Sequence, residues 1–236
     1  MTTVNWQGYE WITQERWGQI HPEKPHWWYD PSCVNVDDNG MLHLTTKCNP
    51  TYFRDLDKIS PIGVGLVSCT EKFGYGVFSI AAKLPKGKHM WPAFWMWSWD
   101  SWPPEIDIFE AYSNGLGSYI KPRLFNPFGF WNIQTNVHYT DEVGNKMLGG
   151  KTGYMGYKNP TKHFITYTCV WKKDSIKFYY DGKLVREVTD SNILKRLETT
   201  KMNVIINNGV TDKVDQSNPP DSDFMIQTFR YTPIIY

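Results

Sequence analysis

The sequence predicts an all-β sandwich, formed as one domain over residues 1–236, and three observations carry that expectation. Short β-branched and aromatic runs recur along the chain, Gly, Pro, Asn and Asp separate them, and only one segment has helical periodicity. The length of 236 residues lies within the range that β-sandwiches and barrels occupy undivided. Strands are expected over 41–47, 63–69, 75–84, 106–112, 135–139, 164–171, 175–180, 183–188, 202–207 and 224–232. The run from Trp91 to Trp99 also alternates like a strand. Asp181-Gly182, between two strand-like runs, is a hairpin signal because a type I′ turn needs positive φ at both central positions. Asn39-Gly40 reads as a similar turn. The segment 191–199 is the helix, with Ser191 as N-cap and Ile193, Leu194 and Leu197 on one face. Long connections over 49–62, 113–131, 140–162 and 208–222 would rim a groove. No repeat or low-complexity tract is present.

Composition narrows the function. With 25 basic and 24 acidic residues, the formal charge is +1, so no global field recruits nucleic acid or an anionic membrane. No run approaches the ~20 apolar residues of a membrane helix. The 16% aromatic content, with 12 Trp and 14 Tyr, exceeds what a core of this size needs, so some aromatics should line a binding surface. Cys33, Cys48, Cys69 and Cys169 have no metal-site spacing and are expected to be free, buried thiols. No basic start followed by an apolar run is visible.

The densest chemistry lies in Glu105-Ile106-Asp107-Ile108-Phe109-Glu110. Alternation puts Glu105 and Asp107 on one strand face and Ile106 and Ile108 on the other. A regular strand would then bury Glu110 beside the isoleucines, at a cost of several kcal/mol. A β-bulge at Ile108-Phe109 would return Glu110 to the face of the other acids. The spacing therefore predicts a bulge. Glu105 and Glu110 would be roughly 13 Å apart along the chain, a gap that two long side chains leaning together could largely close. Retaining glycosidases hold their carboxyls roughly 5 to 5.5 Å apart. Asp107, between them, could share a proton or orient the nucleophile.

Two rival readings concern the same residues. Pro103-Pro104 followed by acids could start a helix, where carboxylates complement the dipole. A metal site is the other, but the six His show no paired-ligand spacing and no glycine-centred calcium loop is present. Upstream, Trp91, Trp95, Trp97 and Trp99 fall on one strand face, with Phe94 and Met96 on the other. Flat indoles beside carboxylates suit the apolar faces of pyranose rings, and Trp91 and Trp95 are the leading candidates for sugar contact. Phosphate-loop, dinucleotide and nucleophile-elbow motifs are absent.

Together these residues resemble glycoside hydrolase family 16, whose signature is Glu-x-Asp-x-Glu or, with a bulge, Glu-x-Asp-x-x-Glu. "EIDIFE" is the bulged form, found in laminarinase-, agarase- and carrageenase-like members. The stretch "KFGYGVFSIAAKLPKGKHMWPAFWMWSW" resembles the family's approach to the acids, "TNVHY" the following strand, and "HFITYTCVWKKDSIKFYYDGKLV" a later hairpin. The resemblance implies a curved antiparallel β-sandwich (jelly roll, concanavalin A-like) with a concave substrate cleft. It implies retaining, endo-acting hydrolysis of internal β-linkages in a polysaccharide, either a β-1,3-glucan or a β-galactan such as agar or carrageenan. Glu105 would be the nucleophile, Asp107 its helper and Glu110 the acid/base. Trp91, Trp95 and His138 match cleft residues, and Trp131 and Asn207 are further candidates for substrate binding.

Some positions depart from the family. Ala81 stands where glucan-active relatives carry an arginine expected near the cleft. Gln227 stands where an Asp often helps hold a structural calcium, so no cofactor or metal is expected. Lys121 and Arg123 lie in a loop that could reach the cleft. A monomer acting on polysaccharide or oligosaccharide, outside the cell or in the periplasm as a trimmed mature domain, is the expected setting. A non-catalytic glycan-binding module and a transglycosylase remain alternatives on the same fold. The first has no need of three acids at bulged spacing; the second shares the hydrolase's intermediate.

Overall fold

A computed structural model describes residues 2–21, 23–112, 131–149, 152–156, 158–198 and 200–236. Eighteen strands are described, with one α-helix. They are β1 Thr3–Trp6, β2 Tyr9–Ile12, β3 Trp27–Tyr29, β4 Val34–Val36, β5 Leu42–Phe53, β6 Lys58–Val64, β7 Leu66–Cys69, β8 Gly76–Lys83 and β9 Met90–Trp97. There follow β10 Glu105–Glu110, β11 Trp131–Thr140, β12 Lys146–Leu148, β13 Thr152–Gly156, β14 Ile165–Trp171, β15 Ile176–Tyr180, β16 Lys183–Val188, α1 Ser191–Leu197, β17 Asn203–Val210 and β18 Ser222–Pro233.

Two large sheets form the sandwich. One runs β1-β2-β7-β17-β9-β10-β11-β12, with β13 also on β11; the other runs β16-β15-β14-β8-β18-β5-β6-β3, with β4 also on β5. The pairs are antiparallel except β3 with β6, which is parallel. Alternation explains the packing: in β8, Phe78, Ile80 and Ala82 are buried while Val77, Ser79 and Ala81 are only partly covered. Inward residues of both sheets, among them Phe78, Ile80, Phe94, Met96, Ile106, Phe178, Phe224 and Phe229, share one core.

Several expectations change here. The run 63–69 is not one strand: it breaks at Gly65, where the chain leaves β6 in one sheet for β7 in the other. A Cβ on Gly65 would lie 2.5 Å from the Cys33 carbonyl oxygen and 2.8 Å from Leu44 Cα, so only glycine fits this crossing. The connection expected over 49–62 is mostly the β5–β6 hairpin, and 140–162 contains β12 and β13. Asp181 (φ 48°) and Gly182 (φ 75°) form the expected hairpin turn. In the other turn only Gly40 has positive φ; Asp37 holds that loop by accepting from the Asn39 and Met41 amides. The helix is capped by Asp190, whose side chain accepts from Asn192 N at 2.8 Å, and not by Ser191. All four cysteines are free, but Cys48 is exposed. Among the described residues, no helix is long and apolar enough to cross a membrane.

Candidate active site

The acidic strand β10 lies between β9 and β11. On the β11 side, Asp107 faces Asn136 and Glu110 faces Gln134, so Ile108 and Phe109 together oppose Thr135. On the β9 side, Asp107 faces Trp95 and Phe109 faces Phe94, so Ile108 is the extra residue. The bulge has the effect the spacing requires. Ile106, Ile108 and Phe109 are fully buried in the core between the sheets, while Glu105 and Glu110 keep partial exposure on the opposite face. The helix-start alternative is thereby excluded.

Each acid has its own surroundings. Glu105 Oε2 accepts from Trp102 Nε1 at 2.7 Å, and its Oε1 lies 3.4 Å from His138 Nε2. The same His138 nitrogen lies 3.4 Å from Asp107 Oδ2 and 3.2 Å from Asn136 Nδ2. Burial, and then the Asp107 charge, raise the Glu105 carboxyl well above its ordinary range, with His138 and Trp102 pulling the other way. Glu110 Oε1 accepts from Tyr112 Oη at 2.7 Å and Trp91 Nε1 at 3.1 Å. Burial and Glu110 push the Tyr112 hydroxyl far up, so it stays a donor. One atom each from Glu105, Asp107 and His138 lie within 4.8 Å of one another, close enough for a divalent ion to bridge. Sequence spacing does not mark this group, because it joins two strands, β10 and β11.

The predicted sugar-contact residues divide. Trp91 and Trp95 are half-buried on the face of the acids. Trp91 stacks on Tyr112, with ring centroids 5.1 Å apart, and carries the Lys24 ammonium 4.3 Å from its centroid. Beside it, a depression is lined by Lys24, His26, His89, Trp91, Tyr112 and Asp212. Trp95 stacks on Trp97 and donates from Nε1 to Asn207 Oδ1 at 2.8 Å. Asn207 is only 7% exposed, so it anchors Trp95 more than it faces the cleft. His138 lies beside Glu105 and Asp107. Trp131 begins β11, seven residues before His138, and its side chain lies outside the described residues. Lys121 and Arg123 also lie outside them. Ala81 is not in the cleft: it sits on the outward side of β8, opposite Thr166 and Thr228 in the sheet without the acids. Gln227 is exposed at a bulge of β18.

The family model for glycosyl hydrolases family 16 matches residues 23–224. The chain belongs to glycosyl hydrolase family 16. It is 28% identical over 182 residues to glucan endo-1,3-beta-glucosidase A1 of Niallia circulans, covering 74% of this chain and 25% of that protein. A glucan endo-1,3-beta-glucosidase of Cryptopygus antarcticus is 55% identical over 117 residues, 47% of this chain and 38% of that one. This family 16 chain thus spans only a quarter to two-fifths of the length of those relatives. Its fold is similar to that of the LamAcat crystal structure from Zobellia galactanivorans, with TM-score 0.73 and 20% identity over 94% of this chain and 90% of that one.

The candidate site has further members that the sequence pattern did not single out. Trp102 and Tyr112 stand three residues before Glu105 and two after Glu110, so their proximity was a usable signal. Lys24 and Glu15 come from the N-terminal segment and carry no such mark. Glu15 is fully buried, accepting from Ser68 Oγ, from Trp97 Nε1 at 3.2 Å and from Arg16 N at 3.4 Å. Burial pushes its carboxyl up to about 7. Trp97, which it holds, is the β9 residue paired with Glu105.

Proposed function

We propose that this chain is a retaining, endo-acting glycoside hydrolase that cleaves internal β-linkages of a polysaccharide, with β-1,3-glucan the first substrate to test. The observation that carries the reading is the bulge at Ile108-Phe109, which brings Glu110 to the face of Glu105 and Asp107. The names of the Niallia and Cryptopygus relatives, both glucan endo-1,3-beta-glucosidases, support the choice of glucan. The β-galactans agar and carrageenan are the next substrates to try.

In this mechanism the Glu105 carboxylate attacks the anomeric carbon while Glu110 gives its proton to the leaving oxygen, and the glycosyl-enzyme ester is then cleaved by water deprotonated by Glu110. Glu105 must be ionised to attack, yet burial and Asp107 favour its protonation. Placing the shared proton on Asp107 resolves this: protonated Asp107 no longer repels the nucleophile's charge, and Trp102 Nε1 stabilises it. Tyr112 and Trp91 both bond Oε1 of Glu110 and fix the carboxyl's orientation. Trp91, Trp95 and the partly exposed Trp102 form the aromatic floor for the glycan. The two-carboxylate reaction uses no cofactor, and the protein acts as a monomer on polymer outside the cytoplasm.

Reducing-end release from laminarin, mixed-linkage glucan, agarose and carrageenans tests the proposal. Glu105→Gln and Glu110→Gln should each lower turnover by at least about a thousandfold, while fold and oligosaccharide binding persist. Wild-type-like turnover by either variant overturns it.

A further inference from the structure

The bulge that turns Glu110 toward the cleft is held from the opposite sheet at two points, Ile108 within it and Thr135 facing it. Ile108 has no partner in the register with β9 or with β11. Its carbonyl oxygen accepts from the hydroxyl of Tyr180, on β15 of the other sheet, at 2.9 Å within the buried core. Thr135, the β11 residue facing the bulge, has no register partner on β10 and pairs on its other side with Thr152 of β13. Its carbonyl and hydroxyl oxygens each lie 3.2 Å from Nη1 of Arg186, on β16. Arg186 Nη2 also donates to the Gly149 carbonyl beyond β12. Phe109, the other bulge residue, packs 4.4 Å from the Tyr167 ring, which packs 5.0 Å from Tyr180.

The Ile108 carbonyl is buried at a residue outside both registers, where a buried acceptor needs a donor, and Tyr180 supplies one. We infer that Tyr180 and Arg186 are positioning residues for the acid/base: by bonding Ile108 O and Thr135 O across the sandwich, they hold the bulge that aims Glu110 into the cleft. Neither touches substrate. Without these bonds, the bulge and the β11 residue facing it lose their cross-sheet support, and the strand can relax toward regular pairing, in which Glu110 turns away from Glu105. The sequence hides the relation, because the partners are separated by 72 and 51 positions.

This inference rests on Glu110 being the acid/base, and its test separates the two claims. Tyr180→Phe keeps the ring and removes only the hydroxyl; Arg186→Lys keeps the charge and removes the fork, and it serves should Tyr180→Phe fold poorly. On the polysaccharide that the wild type cleaves, each variant should lose about 10- to 100-fold in kcat, since small displacements of a catalytic group cost on that order, with KM within about threefold. On a 2,4-dinitrophenyl glycoside of the released oligosaccharide, whose leaving group needs no proton, the first, ester-forming step should fall less than about threefold. Amide hydrogen exchange at Ile108, Phe109 and Glu110 should quicken in both variants whatever the activity. Unchanged exchange and unchanged kcat, or an equal loss on both substrates, overturns the positioning role while leaving the hydrolase reading intact. Absence of cleavage by the wild type itself overturns the function and leaves the exchange result to decide the clamp.

Discussion

Replacing Glu15 by Gln should flatten part of the protein's stability profile between pH 4.5 and 7. The folded protein holds the Glu15 proton up to about pH 7, whereas an exposed glutamate loses it near 4.5. Below pH 4.5 the carboxyl is neutral in both states, and its contribution to stability is complete. As pH rises, the unfolded chain ionises first and gains the advantage, so stability is lost until the folded carboxyl ionises as well, and changes no further above about pH 7. At about 1.4 kcal/mol per pH unit, the gap is worth roughly 3 kcal/mol. Glutamine fits the same cage: its carbonyl can accept from Trp97 Nε1 and its amide can donate to Ser68 Oγ, the two groups that hold Glu15 now. The assay is urea denaturation of both proteins from pH 4 to 8. The difference between them isolates Glu15, since other titrations are shared. Relative to Glu15→Gln, the wild type should weaken by roughly 3 kcal/mol over the window, or about 6–12 °C in melting temperature. Parallel curves would refute the argument and mean that Glu15 is already ionised, or reached by water, in the folded state.

Three further outcomes follow from the same structure. His138→Ala removes an influence that lowers the Glu105 carboxyl, so the acidic limb of the residual pH–rate profile should move to higher pH. Asn207→Ala leaves the Trp95 indole without its acceptor and should raise KM several-fold with kcat little changed, measured by initial rates on oligosaccharides. Gly65→Ala drives a methyl into the Cys33 carbonyl and Leu44 backbone, so it should cost at least about 3 kcal/mol in denaturant unfolding, beyond ordinary helix- or strand-propensity effects.

What the sequence revealed follows from the range of the interactions involved. The bulge was legible because burying Glu110 beside Ile106 and Ile108 would be prohibitive, and the chain's own spacing states the remedy. The β14–β15–β16 meander was legible through alternation and Asp181-Gly182. Short strands were harder. Gln7-Gly8 turns β1 into β2 with φ of 53° and 81°, but runs of four residues carry too little alternation to stand out. Gly65 reads like any strand glycine until the other sheet is known, and the Ala81 departure lost its meaning for the cleft once β8 proved to lie in the sheet without the acids. Trp97 illustrates the limit best. Its place on the face of the acids could be counted from Trp95, yet its burial depends on Trp17 and Glu15, 80 and 82 positions away in the chain.

Strand β17 is buried along its whole length, from Asn203 to Val210. One side faces the core between the sheets, and the other faces a second apolar cluster that includes Trp27, Tyr29, Trp97 and Ile205, with Trp17, Trp95 and Trp99 against it. The floor beneath a bound glycan is therefore a packed interior in its own right. Its indoles lose their rotamer freedom when the chain folds, not when the sugar arrives, so binding has little ordering left to do on the protein side. Under the proposed function the flexible partner in the encounter is the polysaccharide, and affinity in this cleft should respond more to the stiffness of the glycan than to changes in the protein around it.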